Sequence, residues 1–151
     1  RSGTLATPNV IGLATAVQIA DKEMPKEQGR LRKLRDQLLA SLLAGIPDAK
    51  VNGCMDSRLT GNLNILLPGV ESEALIISLK AEISVSSGSA CTTAAVLPSH
   101  VLKSLGLMNV ESHSSIRFGL GRFTTESEIR RAAELIIKEA VRLKHLSGHT
   151  N

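Results

Sequence analysis

Cys91 sits in a run of small and hydroxylated residues, Ser86-Ser87-Gly88-Ser89-Ala90-Cys91-Thr92-Thr93-Ala94-Ala95. A thiol placed there is presented to solvent or to a substrate, and a nucleophilic cysteine must be both reachable and ionised. Composition alone leaves two readings open: a nucleophile on an accessible loop, or a Ser/Gly linker that happens to hold a cysteine. Arg117 is the second candidate. In Ser115-Ile116-Arg117-Phe118 the apolar residues alternate, so Arg117 falls on the polar side of a strand. There it is either a surface ion-pair partner or a ligand for a carboxylate, whose two oxygens match the guanidinium fork. Thr4, in the lead-in Arg1-Ser2-Gly3-Thr4, is by itself a turn residue.

Other chemistry-bearing residues fall into no pattern. Cys54, Cys91, His100 and His113 lack metal-ligand spacing, so no metal site is expected. Gly119-Leu120-Gly121 lacks the third glycine of a dinucleotide fingerprint, because Thr124 stands there; the two glycines instead suggest close backbone packing. There is no nucleophile elbow of the hydrolase type. Cys54, beside Gly53, reads as a turn or strand-end residue, and Lys80 and Lys103 lie in helical patterns.

The elements that must position these residues are legible in outline. Thr7-Pro8 is a helix entry, and Ile11, Ala14, Val17 and Ala20 keep helical spacing. Pro25 is expected to interrupt this helix, with a second running from about Lys26 to Leu43. Its stripe is Leu31, Leu34, Leu38 and Leu42, while Arg30, Arg32, Lys33, Arg35 and Asp36 take the wetter side. Gly45 and Pro47 stop it. Strands are expected at Lys50–Asn52, Asn62–Leu67, Ile83–Ser86 and Ser115–Leu120, and helices at Ser72–Lys80 and Pro98–Leu105. Thr125-Glu126-Ser127-Glu128 has the form of a capping box, opening a helix to about Leu146 with the stripe Ile129, Ala133, Ile136, Ala140 and Leu143. The expected fold is α+β: a small, mostly antiparallel sheet covered by helices.

Composition narrows the classes. The 151 residues suffice for one domain with a core, and two Phe with no Tyr or Trp make that core aliphatic. Base-stacking nucleic-acid modules are disfavoured by the same lack of aromatics. The net charge is +4 and the isoelectric point about 9.4. The basic residues cluster on two helical segments, Lys22–Arg35 and Arg130–Lys144, interspersed with acids, which reads as solvated helix faces and not as a nucleic-acid footprint. Two cysteines without a CxxC pair point to a reducing compartment, cytoplasm or organellar matrix. No apolar run is long enough for a membrane span. The chain starts at Arg1 without a methionine and reads as a fragment.

Three segments carry a resemblance. Val85-Ser86-Ser87-Gly88-Ser89-Ala90-Cys91-Thr92 resembles the active-site loop of cysteine desulfurases, the NifS/IscS-like members of the class V aminotransferase family that depend on pyridoxal 5'-phosphate (PLP). The segment from His113 through Ser115-Ile116-Arg117-Phe118-Gly119 to Thr125 resembles a second motif of that family, and Arg1-Ser2-Gly3-Thr4 a third. The three occur in the family's order and span nearly the whole chain. The resemblance implies that residues 1–151 are the small C-terminal domain of a fold-type I PLP enzyme, whose PLP-binding large domain and Schiff-base lysine lie outside this chain.

The resemblance also implies roles. Cys91 takes sulfur from PLP-bound L-cysteine as a persulfide, releasing L-alanine, and passes it on for iron–sulfur cluster or other sulfur-compound assembly. Arg117 binds the substrate carboxylate, and Thr4 donates to the PLP phosphate across a homodimer interface. Partners implied are L-cysteine, a sulfur-acceptor or iron–sulfur scaffold protein, and a second subunit; Cys91 is also a possible transient iron–sulfur ligand. The long Ser/Gly loop resembles the mobile-loop branch of the family, and part of it is expected to move. Two other functions fit these residues: a stand-alone persulfide-carrier or scaffold-docking domain, and a selenocysteine lyase.

Overall fold

A computed structural model describes residues 3–87 and 99–148 of the chain. Among these residues lie five helices and three strands. They run α1 (Thr7–Gly45), β1 (Lys50–Val51), β2 (Asn62–Leu66), α2 (Ser72–Leu79), α3 (His100–Ser104), α4 (Asn109–His113), β3 (Ser115–Gly119) and α5 (Glu126–Leu146). The strands form one antiparallel sheet in the order β1-β2-β3, so β2 is central. The expected α+β class and antiparallel sheet are therefore present.

Alternation within the strands decides what each sheet face does. Leu63 and Ile65 of β2 stand opposite Phe118 and Ile116 of β3, and all four are buried. This apolar face receives Leu34, Leu38 and Leu42 of α1, Leu75 and Leu79 of α2, and Ile129, Ala133, Ile136 and Ala140 of α5 in one core. The core is aliphatic apart from Phe118, as the composition requires. Gly45 serves α1–α5 packing: a Cβ there would fall 2.5 Å from Cδ1 of Ile137. Gly61 is equally constrained, because a Cβ would collide with the Leu120 carbonyl oxygen. Gly119 and Gly121, expected to permit close packing, face open space; the close approach is at Gly61 on the neighbouring segment.

Three expectations about elements need correction. Pro25 lies inside α1, which continues through it for 39 residues. A proline removes one hydrogen bond from the ladder, and here good helix formers flank it, Lys22-Glu23-Met24 before and Lys26-Glu27-Gln28 after. Arg35, assigned to the wet side, is buried at 5% exposure and donates from Nε and Nη2 to Asp36 at 2.9 and 2.7 Å. The segment at Ile83–Ser86 is no full strand: it meets β3 through a single bridge, Ser86 to Arg117. Helix α4 was not legible beforehand, and the helix expected from Pro98 begins among the described residues at His100.

The first half of α1 is an arm. Val10, Ile11, Leu13, Val17, Ile19 and Met24 are all exposed, among them Ile11 and Val17 of the stripe expected from sequence. The periodicity was correct about helix and silent about what the stripe would face.

Candidate active site

Arg117 lies at the middle of β3 and its side chain is exposed, while its neighbours Ile116 and Phe118 point into the core. Its position is fixed by main-chain bonds. The Arg117 N–H donates to the Ser86 carbonyl at 2.7 Å, and the Ser86 N–H donates to the Arg117 carbonyl at 3.3 Å. At the guanidinium, Nη2 reaches the Ser86 hydroxyl at 3.5 Å. Among the described residues no carboxylate lies within ion-pair distance of Arg117. The guanidinium is thus held beside Ser86 with its charge available to an anion.

Cys91, with the segment 88–98 that carries it and the mobility expected of it, lies outside the described residues. The described chain enters that segment from Ser87, one residue after the bridge to Arg117, and leaves it at Ser99. Thr4 is exposed in the lead-in to α1. From Thr7 to Glu27, the first α1 residue that bonds to the turn after β3, the helix covers about 30 Å. The fold of this chain therefore brings Arg117 to the root of the Cys91 segment and leaves Thr4 at the end of the arm.

Three sets of residues shape this region without having been singled out from sequence. Arg30 donates to three carbonyls of the turn after β3: Thr124 at 2.5 Å, Arg122 at 2.6 Å and Gly121 at 3.2 Å. Arg122 in turn pairs with Glu27 on α1. Arg58 donates to the carbonyls of Asn52 and Cys54, gripping a turn in which Gly53 has a φ of 79°. Burial, and then the nearby Arg35 cation, lower the pKa of Arg58 from its usual value. Cys54 is an exposed turn residue, as expected.

The third set is a polar network on the face that carries Arg117. Asn52 Nδ2 donates to Asn64 Oδ1 at 2.7 Å and to Ser115 Oγ at 2.9 Å. Ser115 Oγ donates to the Glu111 carbonyl at 2.7 Å. Asn52 and Ser115 are buried, so each polar atom needs its partner. The alternation in Asn62-Leu63-Asn64-Ile65 puts both asparagines on the outer face, which was the available signal. Among the described residues no group of three or more His, Cys, Asp or Glu side chains could hold a metal ion, and no helix is long and apolar enough to cross a membrane.

Comparison with known proteins matches this chain to a family. The profile described as "Aminotransferase class-V" matches residues 1–132. The chain is similar to "Cysteine desulfurase IscS" of Rickettsia bellii, 47% identical over 147 residues, covering 97% of this chain and 36% of that protein. It is also similar to "Cysteine desulfurase, mitochondrial" of Arabidopsis thaliana, 46% identical over 97% of this chain and 32% of that protein. Among solved structures, a NifS-like protein from Rickettsia africae superposes with a TM-score of 0.79 at 26% identity, covering 94% of this chain and 36% of that one. The chain spans about a third of the length of the curated relatives it matches.

Proposed function

This chain belongs to the aminotransferase class-V family, and we propose that it is the C-terminal domain of a PLP-dependent cysteine desulfurase, carrying the sulfur-accepting thiol and the substrate-carboxylate site. The observation that carries the reading is the bridge between Ser86 and Arg117, which fixes the root of the Cys91 segment beside a guanidinium that has no carboxylate partner among the described residues. The names and identities of the relatives support it.

Among the described residues, a group that fits PLP is the exposed hydroxyl of Thr4, a donor suited to a phosphate oxygen. Its place at the end of a long apolar arm suits a contact made away from this domain's own Arg117. Lys80 and Lys103 are exposed, at the end of α2 and within α3, so the Schiff-base lysine is assigned to the rest of the polypeptide. Bound PLP supplies an electron sink that activates the amino acid for C–S cleavage.

The chain's own residues then act as follows. Arg117 binds and orients the carboxylate of L-cysteine. The Cys91 thiolate attacks the substrate sulfur, so an S–S bond forms as the C–S bond breaks. The electron pair of the broken bond stays with carbon, which takes up a proton and leaves as L-alanine. Sulfur remains on Cys91 as a persulfide for transfer to an acceptor protein. Reducing surroundings, in cytoplasm or an organellar matrix, suit this thiol chemistry.

The test uses the complete polypeptide loaded with PLP. Cys91→Ser is expected to abolish sulfur transfer while PLP absorbance is retained. Arg117→Ala is expected to raise KM for L-cysteine by about 10- to 100-fold, the loss of a charge-assisted pair. Sulfur transfer that survives Cys91→Ser would overturn the role of that thiol.

A further inference from the structure

The network around Asn52 fixes more than the sheet. A carbonyl only accepts, so the Ser115 hydroxyl must donate to Glu111 O and is left to accept from Asn52. The Asn52 side-chain atom facing Ser115 is therefore the NH2 group. That same NH2 group meets Asn64, so Asn64 must present its carbonyl oxygen to it. Asn52 also carries the main-chain bond that ties it to β2, its N–H donating to the Asn64 carbonyl at 2.9 Å. The orientation of the Asn64 amide is thereby dictated by Asn52, itself held by Ser115 and the Glu111 carbonyl, and the Asn64 Nδ2 makes no hydrogen bond among the described residues.

Asn64 stands directly opposite Arg117 in the β2–β3 register. The Arg117 main chain bonds outward to Ser86 and that of Asn64 toward Asn52, so the two form a non-hydrogen-bonded pair. In such a pair the side chains share one face, with Cβ atoms roughly 4.5–5.5 Å apart. The face thus shows a guanidinium and an amide NH2 side by side, with no acid among the described residues to occupy them. A guanidinium with no carboxylate partner and an amide NH2 with no acceptor among the described residues suit an anionic, two-oxygen ligand.

We infer that Asn64 is a second donor to the carboxylate of the amino-acid substrate, its Nδ2 acting beside the Arg117 guanidinium. The inference rests on the carboxylate role proposed above for Arg117. Asn64 then sets specificity: it favours α-amino acids over amines that lack the carboxylate, and the buried Asn52–Ser115 pair holds it in the donating orientation.

Asn64→Asp tests this cleanly, because an aspartate keeps an oxygen for Asn52 and replaces the NH2 donor by an acceptor. In the complete PLP-loaded polypeptide, inhibition by L-alanine and by ethylamine, the same molecule without its carboxylate, is compared. Asn64→Asp is expected to weaken L-alanine about 10-fold or more and leave ethylamine unchanged. Asn64→Ser, which still accepts from Asn52, is expected to weaken L-alanine by a smaller factor and again spare ethylamine. Equal L-alanine inhibition in wild type and both variants would overturn the role of Asn64, and so would a parallel loss for both inhibitors, the mark of a structural disturbance. Arg117→Ala measured alongside separates the two claims. If it weakens L-alanine while the Asn64 variants do not, only Asn64 is wrong; if it has no effect, the carboxylate site itself is wrong.

Discussion

Arg117 is held by its backbone and, among the described residues, meets no carboxylate at its tip, which is the arrangement an anion-binding arginine needs. Its two main-chain bonds to Ser86 cost the side chain nothing, and the buried Ile116 and Phe118 on either side prevent β3 from slipping. A slip of one residue would bury the charge. The register depends in turn on residues far from the charge. Gly61 accepts from the Leu120 N–H at 2.7 Å and leaves no space for a Cβ against the Leu120 carbonyl. Gly61→Ala is therefore expected to destabilise the fold by about 1–3 kcal/mol, read by denaturant unfolding, because a backbone atom must move. The exposed position of Arg117 could be read from alternation alone. Arg35 and Asn64 could not, since burial of the one and the amide orientation of the other depend on neighbours distant in sequence.

Among the elements, α5 is the one whose sequence states its whole structure. Thr125 and Glu128 cap each other: the Glu128 N–H donates to Thr125 Oγ1 at 3.3 Å, and the Thr125 N–H donates to Glu128 Oε2 at 2.8 Å. Thr125→Ala is expected to cost about 1 kcal/mol. The hydrogen bonds from Thr125, backbone first and then side chain, lower the pKa of Glu128. A lowered carboxylate stabilises the fold above its unfolded pKa and loses that contribution as pH falls through the folded one. The stability advantage of wild type over Glu128→Gln should therefore shrink on acidification through the carboxylate range, and a constant difference would contradict the assignment. By contrast α1 was legible as helix but not as one helix, because Pro25 acts locally while good helix formers on both sides carry the ladder across it. The partial pairing at Ser86 was illegible for a related reason: Ile83-Ser84-Val85 has strand composition, but only tertiary contact decides how much of it joins the sheet.

At the scale of the molecule, the chain is a packed half and an unpacked arm. One core joins α1, α2 and α5 to the sheet, whereas the first half of α1 displays six exposed large apolar side chains. A face of this kind is expected to be covered in a larger protein, which agrees with a chain that spans about a third of its relatives' length. On the function proposed above, this domain holds the thiol and the carboxylate site, and the rest of the polypeptide activates the substrate. The most direct test is mass spectrometry of Cys91 after exposure to L-cysteine. In the complete PLP-loaded polypeptide, the peptide containing Cys91 should gain the mass of one sulfur atom, with L-alanine formed in equal amount, and the isolated 151-residue chain given PLP should do neither. Alanine formed with no sulfur on Cys91, or a persulfide made by the isolated chain from L-cysteine, would contradict the account.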